Sequence, residues 1–218
     1  LTEKTLRTGN YSSFLPTVRG NIKIRDLFLL KDWERAQQAT YKPVKITMPG
    51  PLTVADTVAD VFYGDQKVLG RAIADALNKE VLSLANAGCK HIQIDEPLFA
   101  RYPEKAIKFG IENLERAFHN CPNTVDRTTH ICCGYPDKID VENYPKAPLD
   151  AYFKIADALE ESSIDTISIE DAHRYNDLVL LEKFKTKNII LGVVTIAKSK
   201  VESIEEIRTR LTKSLEHI

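Results

Sequence analysis

Excess charge of one sign, long apolar runs, a disulfide-capable set of cysteines and a glycine-rich phosphate loop are all missing from this sequence, and each absence closes off a class of function. Thirty basic residues against thirty-one acidic ones leave a net charge of -1, so there is no electrostatic footprint for a phosphate backbone or an anionic bilayer. Nucleic acid and membranes are therefore not expected as partners, and a small-molecule substrate is. The longest apolar stretch, around Ile189 to Ala197, is far short of the roughly 20 residues a spanning helix needs. The opening Leu1-Thr2-Glu3-Lys4 is polar rather than signal-like, and a cytoplasmic location is expected. Four cysteines in 218 residues, two of them adjacent at Cys132 and Cys133, make a poor disulfide framework and suit a metal or catalytic role better. Cys89 and Cys121 have no partner motif nearby and read as small buried apolar residues or bystanders. No GxGxxG follows any apolar run, which counts against dinucleotide binding. Met48 is the only methionine, so a natural translation start is not expected within this stretch, which reads as part of something longer.

What is present is a globular composition, 43% apolar and 28% charged, sufficient for one compact domain over residues 1–218. Five short runs rich in β-branched residues, Val44 to Met48, His91 to Glu96, Thr128 to Cys133, Thr166 to Glu170 and Ile189 to Val194, read as strands buried on both faces. Between them the apolar spacing turns helical, at Ile73, Leu77, Val81 and Leu84, then at Ile107, Ile111, Leu114 and Phe118. A last helix opens with Ser203 and Glu206 in capping-box spacing and places Ile204, Ile207, Leu211 and Leu215 on one face. Alternating strands and helices imply a parallel sheet with right-handed crossovers, either doubly wound or closed as a (β/α)8 barrel.

Residues capable of chemistry collect at the carboxyl ends of these strands: Asp95 and Glu96, then His130 and Cys132, then Glu170, with a Pro49-Gly50-Pro51 turn after the first. Barrel enzymes carry their active sites there, and polar side chains are otherwise costly at the ends of buried strands. In His130-Ile131-Cys132 the two side chains share one face of an extended strand, so an imidazole and a thiolate can converge on one ion. Zinc accepts nitrogen, sulfur and oxygen donors without redox chemistry. Alone, such a pair is more often core packing than a metal site; Glu170, at the end of the next strand, adds a third donor.

Thr129-His130-Ile131-Cys132, Ile167-Ser168-Ile169-Glu170 and Gly192-Val193, preceded by Gly50-Pro51-Leu52-Thr53 and Ile92-Gln93-Ile94-Asp95-Glu96-Pro97, resemble in order and spacing the C-terminal barrel of the cobalamin-independent methionine synthase family, from about Lys42 to the end. The resemblance implies a (β/α)8 barrel lacking, in this stretch, its first two strands and the one after Leu215. It implies Zn2+ held by His130, Cys132 and Glu170, with a fourth ligand, the cysteine of a later Pro-Asp-Cys-Gly segment, beyond residue 218. Cys133 points away from Cys132 on a regular strand and is a poor substitute unless a bulge intervenes. Asp95 would hold the amino group of homocysteine, although a turn residue before Pro97 is the plainer reading. Glu96 would contribute to the same pocket. His173 could serve as a proton donor, against the plainer reading of a solvated loop histidine.

The sequence departs from the family on the donor side. The stretch Val54 to Asp60 lacks the tryptophan that stacks on the pterin, Ala100 and Arg101 stand where a glutamate is expected, and Thr195-Ile196-Ala197-Lys198 lacks a histidine. The expected partners are thus a small thiol and a methyl or alkyl donor that need not be folate, as in archaeal core forms that take methyl from a corrinoid. Two alternatives stand beside homocysteine methylation: an alkyl-thiol transferase of the epoxyalkane:coenzyme M type, with Arg101 recognising an anionic group, and a non-catalytic metabolite-binding barrel resembling a degenerate uroporphyrinogen decarboxylase. Homo-oligomerisation is a further expectation, because an incomplete barrel exposes sheet edges.

Overall fold

The computed structural model describes residues 1–6, 11–134 and 136–218. The chain opens with an antiparallel hairpin, β1 (Thr2–Leu6) on β2 (Tyr11–Leu15), and a short strand β3 (Thr17–Val18) that pairs in parallel with β5 (Ala59–Asp60). Helix α1 (Leu29–Gln38) leads into β4 (Lys45–Pro49), α2 (Pro51–Asp56) and α3 (Gln66–Asn86). After β6 (His91–Asp95) comes a helical run of α4 (Leu98–Arg101), α5 (Pro103–Lys105), a π-turn (Ala106–Gly110) and α6 (Ile111–Ala117). Then follow β7 (Asp126–Ile131), α7 (Ala151–Glu161), β8 (Thr166–Glu170), a 3₁₀ turn (Leu178–Lys183), β9 (Asn188–Gly192) and α8 (Ile204–Leu215).

Strands β4-β6-β7-β8-β9 form one parallel sheet in which each strand pairs with the next in chain order. The order never reverses, so there is no switch point of the doubly wound kind, and the arrangement follows a barrel wall. The closed eight-stranded barrel expected from the sequence is not formed by the described residues: β4 and β9 are edges of an open five-stranded sheet. Among the described residues no helix is long and apolar enough to cross a membrane.

One face of this sheet carries the core. Ile92, Ile94, Ile131, Ile167 and Ile169 are at most 2% exposed and pack with Val81 and Leu84 of α3, Leu114 of α6, and Ile155 and Leu159 of α7. Burying such side chains stabilises by about 1.5–3 kcal/mol each. The other face is polar: the register brings Lys45 and Thr47, Gln93 and Asp95, Thr128 and His130, and Thr166, Ser168 and Glu170 onto one surface. Strands β6, β7 and β8 are largely buried on both sides as expected, Gln93, Thr128, Thr166 and Glu170 being at most 8% exposed, whereas β4 and β9 are more open. The apolar runs missed the polar face because only alternate residues needed to be apolar.

Two helices differ from their spacing. The π-turn adds a residue to the repeat between Ile107 and Ile111, so Ile107 is 52% exposed while Ala106, Phe109, Ile111 and Leu114 face the core. In α8 the capping box of Ser203 and Glu206 forms as expected, but Ile204, Leu211 and Leu215 are exposed and Ser214 is the buried residue.

Candidate active site at the carboxyl ends of the strands

The polar face is a set of hydrogen-bonded rows across the register. At its amino end Asp126 of β7 accepts from Thr166 Oγ1 at 2.6 Å and from Thr128 Oγ1 at 3.2 Å, with His91 Nδ1 at 3.3 Å. In the next row Lys45 Nζ donates to Gln93 Oε1 at 2.5 Å, and the same amide donates through Nε2 to Asp95 Oδ1 at 2.7 Å. Because an ammonium only donates, Lys45 fixes which way the Gln93 amide faces and so presents its NH2 to Asp95.

At the mouth, Asp95 lies in register with His130, which lies in register with Ser168. Ser168 Oγ is 2.9 Å from His130 Nδ1, which leaves Nε2 of that ring for another partner. Burial pushes the His130 imidazole below its usual pKa, against the pull of Asp95 and Glu170. A neutral ring is the form a metal requires.

Strand β7 ends at Ile131, whose carbonyl accepts from the Tyr152 hydroxyl at 2.9 Å. The alternation of faces stops there, so Cys133 is not turned away: its Sγ donates to Glu170 Oε2 at 2.5 Å. Burial, and then the adjoining Glu170 carboxylate, push the Cys133 thiol up to about 12, consistent with a protonated donor. Cys132 is likewise buried, and Cys89 and Cys121 are the expected small core residues.

Glu170 Oε1 receives the backbone N–H of His173 at 2.6 Å and approaches His173 Nδ1 at 3.0 Å. His173 is not solvated, its side chain being 2% exposed. Its Nε2 accepts from Ala197 N at 3.1 Å, so the proton sits on Nδ1 and faces the carboxylate. A role as proton donor would require one of these bonds to open.

Glu96 is the first residue past β6 and turns to the helix side. It is fully buried, with Oε1 accepting from Leu52 N at 2.9 Å and Oε2 from Thr53 N at 3.0 Å and Thr53 Oγ1 at 2.8 Å. Its carboxylate thus occupies the amino end of α2, where free N–H groups favour a negative group. To serve in a substrate pocket it would have to give up these donors.

His130, Cys132 and Glu170 thus come from the ends of β7 and β8, with Asp95 on the neighbouring strand. Among the described residues no group of three or more His, Cys, Asp and Glu side chains stands ready to hold a metal ion. The donor chemistry nevertheless suits zinc: an imidazole nitrogen, thiol sulfur and a carboxylate. Sequence reasoning missed Cys133, because it extended β7 by two residues, and Ser168, which reads as an ordinary strand serine. The register with His130 was the only signal for the latter.

A parallel sheet in unreversed order, its polar face ending in Asp, His, Cys and Glu side chains at the strand carboxyl ends, is an α/β domain with the strand order of a barrel wall and a candidate site where barrel enzymes carry theirs. The chain belongs to the family described as "Cobalamin-independent synthase, Catalytic domain", whose profile matches residues 9–218. It is 30% identical over 205 residues to a methionine synthase of Saccharolobus solfataricus, covering 93% of this chain and 56% of that protein. A methionine synthase of Pyrococcus horikoshii is 27% identical over 183 residues, which cover 84% of this chain and 48% of that protein. The chain therefore spans about half the length of the curated relatives it matches. Among solved structures, a B12-independent methionine synthase from Shewanella sp. W3-18-1 in complex with selenomethionine superimposes with a TM-score of 0.88 at 29% identity. That match covers 100% of this chain and 63% of the other.

Proposed function

We propose that the protein transfers a methyl group to the sulfur of homocysteine, forming methionine, with zinc held by His130, Cys132 and Glu170. What supports this reading is that His130, Cys132, Cys133 and Glu170 lie at the carboxyl ends of adjacent strands, with Ser168 on His130 Nδ1 and Cys133 on Glu170, in a chain of this family. The chemistry zinc would supply when bound is Lewis acidity, which lets a thiol of ordinary pKa about 8.5 exist as thiolate at neutral pH.

The chain's own residues do the rest. Asp95, aimed by the Gln93 amide, faces the mouth as the acceptor for the substrate ammonium. Ser168 holds the His130 ring and His173 the Glu170 carboxylate. Cys133, protonated on Glu170, would have to release that carboxylate as a metal is taken up. That the Shewanella relative was solved in complex with selenomethionine supports an amino-acid substrate. The missing tryptophan and histidine on the donor side argue for a methyl donor other than methyltetrahydrofolate. A cytoplasmic metabolic enzyme, without nucleic-acid partners and capable of self-association, fits this reading.

Arg101 favours a second reading, a thiol bearing an anionic group. Its guanidinium lies 3.4 Å from Pro145 O beside the segment that follows Cys133.

The test uses the full-length protein. Emission spectrometry should find about one zinc per chain, reduced in His130→Ala, Cys132→Ser and Glu170→Ala. Methionine should form from homocysteine with methylcobalamin or a folate donor. Absence of stoichiometric zinc together with absence of product from either donor overturns the proposal.

A further inference from the structure

Helix α8 lies against the domain without an apolar face. Its inward stripe is Ile207, Arg210, Ser214 and His217, spaced three, four and three residues apart, and Ser214 is its one buried residue. Two side chains join it to the domain: His217, just past the helix end, with Nδ1 2.6 Å from Glu182 Oε1, and Arg210, whose side chain is 15% exposed. It grips the wholly buried Asp171 through both oxygens, Nε to Oδ2 at 2.6 Å and Nη2 to Oδ1 at 2.7 Å. The same Nη2 donates to Asn176 O at 2.8 Å, and the guanidinium stacks 4.7 Å from the centre of the Tyr175 ring.

Asp171 immediately follows Glu170, and the loop from Asp171 to Asn176 is tied into a ring. Asp171 Oδ1 accepts from Asn176 N at 2.9 Å and Asn176 Nδ2 at 3.0 Å, and Nδ2 also lies 2.9 Å from Glu170 O. On the other side Gly192 O takes Asp171 N at 3.1 Å and Ala172 N at 2.9 Å. At the crest of this ring stands His173, whose N–H and Nδ1 engage the Glu170 carboxylate. The guanidinium thus binds both ends of the loop that carries His173.

We propose that Arg210 is a positioning residue of the active site: through Asp171 it holds the loop that keeps His173 on Glu170. The geometry supports this because a buried carboxylate deprived of its cation must move or find new partners, and the nearest freedom lies in the loop that carries His173. The assignment of Glu170 as a zinc ligand rests on the proposed function, whereas the link from Arg210 to His173 does not.

The test compares Arg210→Met, Arg210→Lys and the control Arg208→Ala, whose parent residue pairs on the exposed surface with Glu205. It is made on full-length protein after dialysis against EDTA. In the parent protein the imidazole 15N spectrum of His173 should show a protonated Nδ1 and an unprotonated, hydrogen-bonded Nε2. In Arg210→Met this pattern should collapse toward that of a mobile ring, and peptide-resolved alkylation of Cys133 by iodoacetamide should rise by about ten-fold or more. Arg210→Lys, which keeps the charge without the fork, should fall between, and Arg208→Ala should match the parent. If Arg210→Met fails to fold, Arg210→Lys decides by the same two readouts. Folded Arg210 variants with parental His173 spectra and Cys133 rates overturn the proposal. Titration with zinc alone separates the two ideas: weakening by about 10–100-fold is expected in Arg210→Met. A parent protein that takes up no zinc overturns the metal reading while the spectra and alkylation still judge Arg210.

Discussion

At the scale of single residues, burial rather than type decides what each carboxylate does. Asp95 and Glu96 are neighbours, yet Asp95 faces the mouth and Glu96 caps the amino end of α2. Full burial raises Glu96 to about 7, while the N–H groups of Leu52 and Thr53 and the Thr53 hydroxyl pull it down. A carboxyl whose folded pKa is raised contributes stability that is complete below its unfolded value, near 4.5, and is lost as pH rises through the folded one. The free energy of unfolding of the parent protein, compared with Glu96→Gln, is therefore expected to decline between about pH 4.5 and 7. Chemical denaturation at pH 5 and pH 8 measures this; parallel changes in the two proteins would show that Glu96 does not titrate in that window. Neither this role nor the meeting of Cys133 with Glu170 could be seen in the sequence, since the first depends on a turn 44 residues away and the second on where β7 stops.

At the scale of elements, close approach constrains the turn from β4 into α2. Gly50 has ordinary extended backbone angles, φ -84° and ψ 167°, so left-handed freedom is not its purpose. A Cβ there would stand 2.3 Å from Glu96 Cδ, closer than packed atoms come. Gly50→Ala is expected to cost about 1–3 kcal/mol by displacing the Glu96 carboxylate from the helix end, read as a lowered denaturation midpoint. A midpoint equal to that of the parent would mean that the turn has room to move. The five parallel strands and the capping box of α8 were legible because periodicity and local chemistry specify them. The inward stripe of α8 was not, because an ion pair to Asp171, rather than apolar spacing, chooses the face.

At the scale of the whole molecule, the open sheet sets the behaviour. Among the described residues β4 and β9 have a sheet partner on one side only, and Lys45, Thr47 and Pro49 of β4 are exposed on the polar face. Exposed edges of this kind pair with other chains unless they are blocked. Residues 1–218 prepared alone are accordingly expected to self-associate, seen by light scattering as a mass that rises with concentration; a constant monomer mass would indicate edges that are protected from pairing. The Saccharolobus and Pyrococcus relatives are about twice as long as the stretch they share with this chain.

The sequence by itself determined the parallel alternation of strands and helices, the polar strand ends and the family, because these depend on short-range spacing and on side-chain types in a fixed order. Only the tertiary structure decided that Glu96 serves a helix end, that Cys133 and His173 share Glu170, and that Arg210 reaches back to Asp171. The physical reason is that hydrogen bonds and ion pairs are short-ranged and directional, so a partner far away in the chain is chosen by where strands end and how helices rotate, which no local pattern encodes.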